Sequence, residues 1–124
     1  MPDRLDNTLE VTGRTRVLGI LAHPTEHVKA PPKINRIARE RGSDAIMVPM
    51  NVAPKDFEGF VNGLRTLLSF DGAIVTVPYK QAILALCDEL SDQAAAVGAA
   101  NVIRRSPDGR PVGEQLDCVG FLQW

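Results

Sequence analysis

Short apolar runs alternate with segments of helical periodicity along this chain, and this alternation constrains its fold more than any other feature. Residues 16–21, 45–50 and 73–77 are the apolar runs, and their length is typical of buried strands. Helices are predicted between them, starting near Pro31 and Pro54, because proline fits the first helical turn without losing a hydrogen bond. The second helix has apolar side chains spaced three and four residues apart, namely Phe57, Phe60, Val61, Leu64, Leu67 and Leu68.

The last third of the chain predicts smaller elements that complete the same sheet. A short helix is expected over residues 81–87 and another over residues 92–97, with Ser91 as the N-cap of the latter. Residues 101–105 and 111–114 flank an Asp-Gly pair, which is typical of a β-hairpin turn. The whole order predicts an α/β fold: a three-layer sandwich with a mixed, mostly parallel sheet flanked by helices and a C-terminal β-hairpin.

Length and composition predict one globular domain. A chain of 124 residues suits a single core, and we expect residues 1–14 to be a loose lead-in to a domain over residues 15–124. A formal net charge of −1 argues against nucleic acid, and no apolar run approaches the roughly 18–20 residues of a membrane span. Because no apolar signal precedes the domain, the expected location is cytoplasmic, where Cys87 and Cys118 would be buried thiols rather than disulfide or zinc ligands.

The third apolar run leads directly to a lysine. Residues 74–80 read Ile-Val-Thr-Val-Pro-Tyr-Lys, so Lys80 follows the carboxyl end of a strand, where ligands of open α/β sheets collect. A half-buried lysine at such a place loses hydration and exchanges protons more readily near neutral pH. Asp117 stands at the end of another apolar run. We predict that these two side chains form a proton-transfer pair.

Four segments together resemble one enzyme family. They are residues 19–31, which begin Gly-Ile-Leu-Ala-His-Pro; residues 75–80, Val-Thr-Val-Pro-Tyr-Lys; residues 98–102, Gly-Ala-Ala-Asn-Val; and residues 113–120, Gly-Glu-Gln-Leu-Asp-Cys-Val-Gly. In this order and at this spacing, they are similar to the N-terminal, substrate-binding domain of shikimate and quinate dehydrogenases. The resemblance implies an oxidoreductase of aromatic amino acid biosynthesis. Such an enzyme passes hydride between NADP(H) or NAD(H) and a hydroxylated or keto cyclohexene- or cyclohexane-type substrate.

The resemblance also implies a second, Rossmann domain, which would follow the residues that match Gly120-Phe121. The sequence stops at Trp124 and contains no Gly-x-Gly-x-x-Gly fingerprint. We therefore expect an excised substrate domain, or a natural half-enzyme, that by itself binds neither the dinucleotide nor a metal and is inactive. Surface that lacks its partner domain could also support a homodimer.

Individual roles follow from the matched motifs. By resemblance, Lys80 and Asp117 are the catalytic pair, while Thr76 and Asn101 hydrogen-bond the hydroxyl groups of the substrate. A positioned acid that gives its proton to a carbonyl oxygen typically contributes about 10²–10⁴-fold in rate. Each residue also has a structural alternative, in the order given: a solvated lysine, a helix N-cap, a β-branched strand residue and a turn-forming asparagine.

The other end of the matched pocket departs from the family pattern. Val28 and Ala30 stand where the family has two serines that bind the substrate carboxylate. Each donor lost to an anion costs about 1.5–3 kcal/mol. Lys29 either supplies a cation to this end or is a solvated loop residue, and Gln115 replaces a family asparagine. We therefore predict a rebuilt carboxylate end and a substrate other than shikimate itself.

A second class of function stays open: a non-catalytic small-molecule-binding or regulatory module that keeps the fold of the substrate domain. The two lost serines and the missing dinucleotide fingerprint favour this alternative. The presence of both Lys80 and Asp117 favours the enzyme. His23, His27 and Tyr79 are left between pocket roles and structural roles, since loop histidines and packed tyrosines are common.

Overall fold

The computed structural model describes residues 10–116, and residues 1–9 and 117–124 lie outside this description. The regular elements are β1 (Arg16–Ala22), α1 (Ala30–Glu40), β2 (Ala45–Asn51), α2 (Phe57–Leu64), β3 (Phe70–Val75), β4 (Glu89–Leu90), α3 (Asp92–Val97), β5 (Val102–Arg105) and β6 (Pro111–Glu114). Two 3₁₀ turns, Pro54–Asp56 and Ala82–Leu86, complete the set. None of the helices in residues 10–116 has the length and apolarity that crossing a membrane requires.

The strands form one mixed sheet in the order β2-β1-β3-β5-β6-β4. β1 is parallel to both β2 and β3, β5 is antiparallel to β3 and β6, and β4 is parallel to β6. The predicted mixed sheet and the C-terminal hairpin are therefore confirmed. Because β5 runs against its neighbours, its first residue lies at the same edge as the last residues of β1, β3 and β6. We call this the carboxyl edge of the sheet.

Side chains alternate between two apolar clusters on opposite faces of the sheet. On one face Ile20 of β1 packs with Ile34 of α1, and on the other Leu21 packs with Val61 of α2. Neighbouring residues of one strand thus reach opposite layers, as the period of two in a strand requires. Helices cover both faces, which confirms the three-layer sandwich.

Helix ends follow the signals that predicted them. α1 has its two prolines in the first turn and ends before Gly42, whose φ of 69° suits glycine. Ser91 caps α3 as predicted: its Oγ accepts a hydrogen bond from the Ala94 N–H at 3.1 Å. Gly98 closes the same helix with a φ of 75°.

The second helix is shorter than its apolar pattern predicts. It begins with the 3₁₀ turn Pro54–Asp56 and ends at Leu64. The prediction that Leu67 and Leu68 continue its buried stripe is wrong, since these residues are 42% and 75% exposed. The Thr66 hydroxyl donates to the Gly63 carbonyl at 2.6 Å, and this side-chain bond competes with continuation of the helix.

β3 lies earlier in the chain than the predicted 73–77. Val17 pairs with Phe70, so the strand includes Phe70, Asp71 and Gly72, and the last two interrupt the apolar run on which the prediction depended. The strand ends at Val75, because the Tyr79 N–H donates to the Thr76 carbonyl at 2.9 Å and closes a turn. Thr76 is therefore a turn residue and not a strand residue.

Two small elements also differ from expectation. The predicted helix over residues 81–87 is the 3₁₀ turn Ala82–Leu86. The edge strand β4 was not predicted, since two residues carry no measurable periodicity. Within the predicted lead-in, the Thr12 hydroxyl donates to Asp44 at 2.8 Å, beside the Thr15 hydroxyl at 2.6 Å. These hydrogen bonds, that from Thr15 first, lower the pKa of the Asp44 carboxyl.

Candidate functional site

An open cavity lies at the carboxyl edge, between the ends of β1 and β3 and the loop that leads into α1. Its volume is about 910 Å³, including the solvent at its mouth. Apolar side chains form most of its wall: Ile20, Ala22, Val28, Ala30, Ile74 and Val77. Polar groups enter from Thr76 and from the loop residues His23, His27 and Lys29. Apolar walls with a few polar groups are typical of small-molecule sites.

Four predicted substrate-binding residues line this cavity. Thr76 lies on the β3 side, and its backbone is fixed by donation from its N–H to the Leu21 carbonyl at 3.0 Å. Val28, Lys29 and Ala30 lie on the opposite side, where the loop enters α1. The matched motifs therefore predicted that residues almost 50 positions apart in the sequence lie around one cavity.

The carboxylate end of the cavity has few hydrogen-bond donors. Val28 and Ala30 are half-buried in the apolar cluster of α1 and have no side-chain donor. Lys29 is exposed at the N-cap of α1 and makes no capping hydrogen bond. Pro31 and Pro32 have no N–H, so the first turn of α1 offers an anion fewer backbone donors than an ordinary helix would.

Lys80 stands in the turn after β3, where the strand motif predicted it. Its carbonyl accepts a hydrogen bond from the Ala100 N–H at 2.9 Å, which anchors its backbone next to the start of β5. Its side chain is exposed, so the prediction of a half-buried lysine is not met in this structure. Within residues 10–116 no hydrogen bond or ion pair engages its ammonium group.

Asn101 lies directly before β5 at the carboxyl edge. Its side-chain amide binds the backbone of Leu116, with Nδ2 donating to the carbonyl at 2.6 Å and Oδ1 accepting from the N–H at 2.8 Å. The structure therefore gives this side chain a long-range partner instead of the predicted local turn, and its contact with substrate hydroxyl groups stays a prediction.

The remaining predicted residues lie near the end of the described chain. Gln115 follows β6, and its buried Oε1 has no hydrogen-bond partner among residues 10–116. Asp117 lies outside the described residues, so its distance from Lys80 stays a prediction. Cys118 lies outside as well, while Cys87 is a partly buried free thiol.

Two residues left open by the sequence now have structural roles. Tyr79 is buried, stacks on Phe57 with ring centroids 3.8 Å apart, and donates its hydroxyl to the Val52 carbonyl. Burial raises the pKa of Tyr79, with a further contribution from Asp56. Tyr79 therefore packs rather than facing the cavity.

His23 lies at the mouth of the cavity, where its Nδ1 is 2.9 Å from Oδ1 of Asn51. Sequence reasoning missed Asn51. The only available signal was its position directly after the second apolar run.

The described residues do not fit a dinucleotide or a metal. A dinucleotide pyrophosphate needs a glycine-rich turn between strand and helix, and the β1–α1 connection, residues 23–29, contains no glycine. Within residues 10–116 no group of three or more His, Cys, Asp or Glu side chains is placed to hold a metal ion. A nicotinamide cofactor would have to be bound outside this part of the chain.

An open α/β sheet with an apolar-walled cavity at its carboxyl edge is typical of the ligand-binding domains of α/β proteins. The family model of the shikimate dehydrogenase substrate binding domain matches residues 20–103. The shikimate dehydrogenase (NADP(+)) of Geobacter metallireducens is 40% identical over 115 residues, which are 93% of this chain and 40% of that protein. The corresponding enzyme of Methanothermobacter thermautotrophicus is 38% identical over 113 residues, or 91% of this chain and 39% of that protein.

Solved structures agree with these relatives. Shikimate 5-dehydrogenase from Listeria monocytogenes, in complex with shikimate and NAD, matches with a TM-score of 0.82 and 30% identity over 94% of this chain and 39% of its own. Shikimate dehydrogenase from Aquifex aeolicus matches with a TM-score of 0.82 and 28% identity over 92% of this chain and 42% of its own. The chain belongs to the shikimate dehydrogenase family, as its substrate-binding domain.

This result bears on the earlier predictions. The chain spans about 40% of the length of the curated relatives it matches. The predicted family and domain are confirmed. The relatives named above are shikimate dehydrogenases, so they give no support to the prediction that shikimate is not the substrate.

Proposed function

We propose that this chain is the substrate-binding part of an NAD(P)-dependent oxidoreductase of aromatic amino acid biosynthesis. The enzyme would interconvert a hydroxyl group and a ketone on a hydroxylated six-membered ring. The observation that carries the proposal is the cavity at the carboxyl edge, which is built from the matched motif residue Thr76 and the matched loop at Val28–Ala30. The relatives are known as shikimate dehydrogenases that act with NADP(+) or bind NAD, which supports the proposed reaction and cofactor.

Shikimate is the first substrate to test, since the relatives are named for it. Its carboxylate would meet an unusual wall, because Val28 and Ala30 have no hydroxyl group and the first turn of α1 contains two prolines. Lys29, exposed at the rim, is the one lysine among the described residues that line the cavity, and it supplies the compensating charge in our proposal. Location in the cytoplasm and a homodimer stay predictions.

The chemical roles are assigned to the residues that follow the strands. Lys80 would deliver a proton to the ring carbonyl oxygen as hydride reaches the ring carbon, and Asp117 would share that proton and hold a neighbouring hydroxyl group. Thr76, in the cavity wall, would hydrogen-bond a ring hydroxyl. Lys80 is exposed in the described structure. In this proposal the bound substrate and the cofactor-binding part of the enzyme would displace the water that surrounds its ammonium group.

Two measurements test the proposal. Isothermal titration of this chain with shikimate should give saturable binding, and an absence of binding to shikimate and to its non-acid analogues would overturn the substrate-binding role. In the enzyme that joins this domain to its cofactor-binding part, Lys80→Ala should lower kcat by about 10²–10⁴-fold with a smaller change in KM. Lys55→Ala is the matched control, because Lys55 is an exposed lysine that pairs with Asp56 away from the cavity.

The exposure of Lys80 favours a second candidate, a non-catalytic ligand-binding module. This candidate predicts that the ligand binds equally well to the wild type and to Lys80→Ala, and that no partner domain restores turnover. A kcat that depends on Lys80 excludes it.

A further inference from the structure

Four cationic side chains on the outer face of α1 lead to the mouth of the cavity. They are Lys29 at the N-cap and Lys33, Arg36 and Arg39 within the helix, and all four are exposed. Their spacing of four, three and three residues keeps them on one side of the helix. The opposite side of α1, which contains Ile34, is buried against the sheet. We call these four residues the basic stripe.

The positive charge of the basic stripe is not neutralised by its surroundings. Residues 29–40 contain its four cations and one acidic side chain, Glu40, so this segment has a formal charge of +3 in a chain of net charge −1. Within residues 10–116, none of the ion pairs involves a stripe residue, whereas Arg16, Arg65 and Arg104 are each paired with a carboxylate. The stripe therefore presents positive charge directly to solvent.

The direction of α1 brings this charge to the cavity. The helix follows the loop that leaves β1 at the carboxyl edge, and Lys29, the first residue of the stripe, lines the cavity. A helix rises 1.5 Å per residue, so Arg39 lies about 15 Å further along the axis. The cavity wall is mostly apolar. A row of like charges beside walls of low dielectric raises the local concentration of small counter-ions.

We propose that the basic stripe gathers acidic substrates at the mouth of the cavity by long-range attraction and not by contact. This inference rests on the proposed function, because it takes the ligand to be a ring that carries a carboxylate. In 0.01 M salt the Debye length is about 30 Å, and the three cations within α1 together enrich a monoanion near Lys29 about threefold or more. In 1 M salt the Debye length is about 3 Å, and no enrichment remains.

Two matched variants separate this local effect from a change in net charge. The stripe variant keeps Lys29 and combines Lys33→Gln, Arg36→Gln and Arg39→Gln, with glutamine chosen as a good helix former. The control variant removes the same charge at the opposite edge of the sheet, next to the start of β1, the end of β5 and the start of β6. It combines Arg14→Gln, Arg105→Gln and Arg110→Gln. Amide NMR spectra verify that both variants are folded.

The first test needs no bound ligand. The anionic nitroxide carboxy-PROXYL and the neutral carbamoyl-PROXYL are added in turn, and the paramagnetic broadening of the amide signals of His27 and Val77, which line the cavity, is measured by NMR. The ratio of the two effects reports the local concentration of anion. In 0.01 M salt this ratio should fall about threefold in the stripe variant and less than 1.5-fold in the control variant. An unchanged ratio in the stripe variant overturns the inference.

The second test asks whether the attraction acts on a substrate. In calorimetric titrations in 0.01 M salt, the stripe variant should bind shikimate about threefold more weakly than the wild type and should bind its uncharged methyl ester equally well. The loss should be shared among the three single variants, largest for Lys33→Gln and smallest for Arg39→Gln, because attraction decreases with distance. A loss confined to one residue would indicate direct contact and would overturn the inference. If the wild type does not bind shikimate, the proposed function fails, while the nitroxide data still decide the inference.

Discussion

At the scale of single residues, Val28 and Ala30 are the positions where this chain differs most clearly from its family pattern. Both line the cavity, and both are half-buried against the apolar cluster of α1. A carboxylate bound as we propose would face methyl groups where two serines would donate hydrogen bonds.

Restoring the hydroxyl groups should strengthen acid binding. The double substitution Val28→Ser with Ala30→Ser should tighten shikimate binding by about tenfold or more, since a hydrogen bond to a charged group contributes about 1.5–3 kcal/mol. Calorimetric titration measures the effect, and the methyl ester of shikimate is the control because it has no anionic carboxylate. Equal gains for acid and ester would show that the serines act on something other than the carboxylate.

Cys87 should be an unreactive thiol at neutral pH. It is partly buried, its Sγ lies 3.3 Å from the Ile83 carbonyl to which it donates, and burial raises its pKa to about 11. A free cysteine has a pKa of about 8.5, so at pH 8 the thiolate fraction of Cys87 should be lower by roughly two orders of magnitude. Labelling with a maleimide in a Cys118→Ser background measures this. A rate near that of a free thiol would contradict it.

The same thiol makes the free energy of unfolding depend on pH. Its pKa is higher in the folded chain than in the unfolded chain, so the folded chain binds more protons in this range. Its contribution is fully present below the pKa of the unfolded thiol and is lost as the pH rises towards about 11. In Cys87→Ala, the free energy of unfolding measured in urea should decrease less between pH 8.5 and 11 than it does in the wild type.

At the scale of elements, β2 is an edge strand, and two of its residues prevent further strand pairing on its outer side. The Arg16 N–H donates to the Asp44 carbonyl and the Val52 N–H to the Ala22 carbonyl, so even-numbered residues here face β1 and odd-numbered ones face outward. Of the outward positions in the middle of the strand, Met47 is bound by Asn35 and Pro49 has no N–H. Such devices prevent an edge strand from pairing with another chain.

Removing the features that block pairing at β2 should lower the free energy of unfolding and promote association between copies of the chain. Asn35→Ala leaves two backbone groups without partners and should lower the free energy of unfolding by about 1–3 kcal/mol in urea titrations. Adding Pro49→Val should make the sedimentation coefficient depend on concentration. Pro49→Val alone is the control, because Asn35 still blocks its neighbour. A double variant that stays monomeric at all concentrations would show that the edge needs no such protection.

Several helix ends were predictable from local chemistry, whereas the start of β3 and the end of α2 were not. Proline in the first turn of α1 and Ser91 before α3 act within a few residues, so the sequence reveals them. The start of β3 depends on pairing with β1, more than 50 positions earlier, and the end of α2 on a hydroxyl-to-carbonyl bond at Thr66. A tertiary contact decides the start of β3 and a local side-chain bond the end of α2, and hydrophobic periodicity reports neither.

At the scale of the whole molecule, the cavity and the ion pair between Arg16 and Asp71 lie at opposite edges of the sheet. The cavity occupies the carboxyl edge, while the opposite edge holds the Arg16–Asp71 ion pair at 2.6 Å, in which Arg16 also donates to the Leu68 carbonyl at 2.9 Å. Both side chains of the pair are about 40% exposed, so its contribution is small, about 1 kcal/mol or less.

Changes at the two edges should therefore have separable effects. Asp71→Asn should lower urea stability slightly and leave shikimate affinity unchanged, whereas Thr76→Val should weaken binding with little loss of stability. Parallel unfolding and titration experiments on the two variants test this separation. A binding defect in Asp71→Asn as large as that in Thr76→Val would show that the edges are coupled.

The site could be predicted only in part from the sequence, because long-range contacts determine the surroundings of several of its residues. Motif spacing located Thr76 and the three loop residues Val28, Lys29 and Ala30 that line the cavity, whereas Lys80 is not among the described residues of its wall. The bond between Asn101 and Leu116, the burial of Tyr79 under Phe57 and the contact of His23 with Asn51 all join distant segments. No local pattern reports such long-range contacts.

The reversed direction of β5 has a practical consequence. Because this strand runs away from the cavity, the turn that joins it to β6, at Ser106 to Arg110, projects from the far side of the protein. A fluorophore or a surface tether attached there would leave the entrance to the cavity clear, and the turn is therefore the natural handle for immobilising the domain in screens of small molecules.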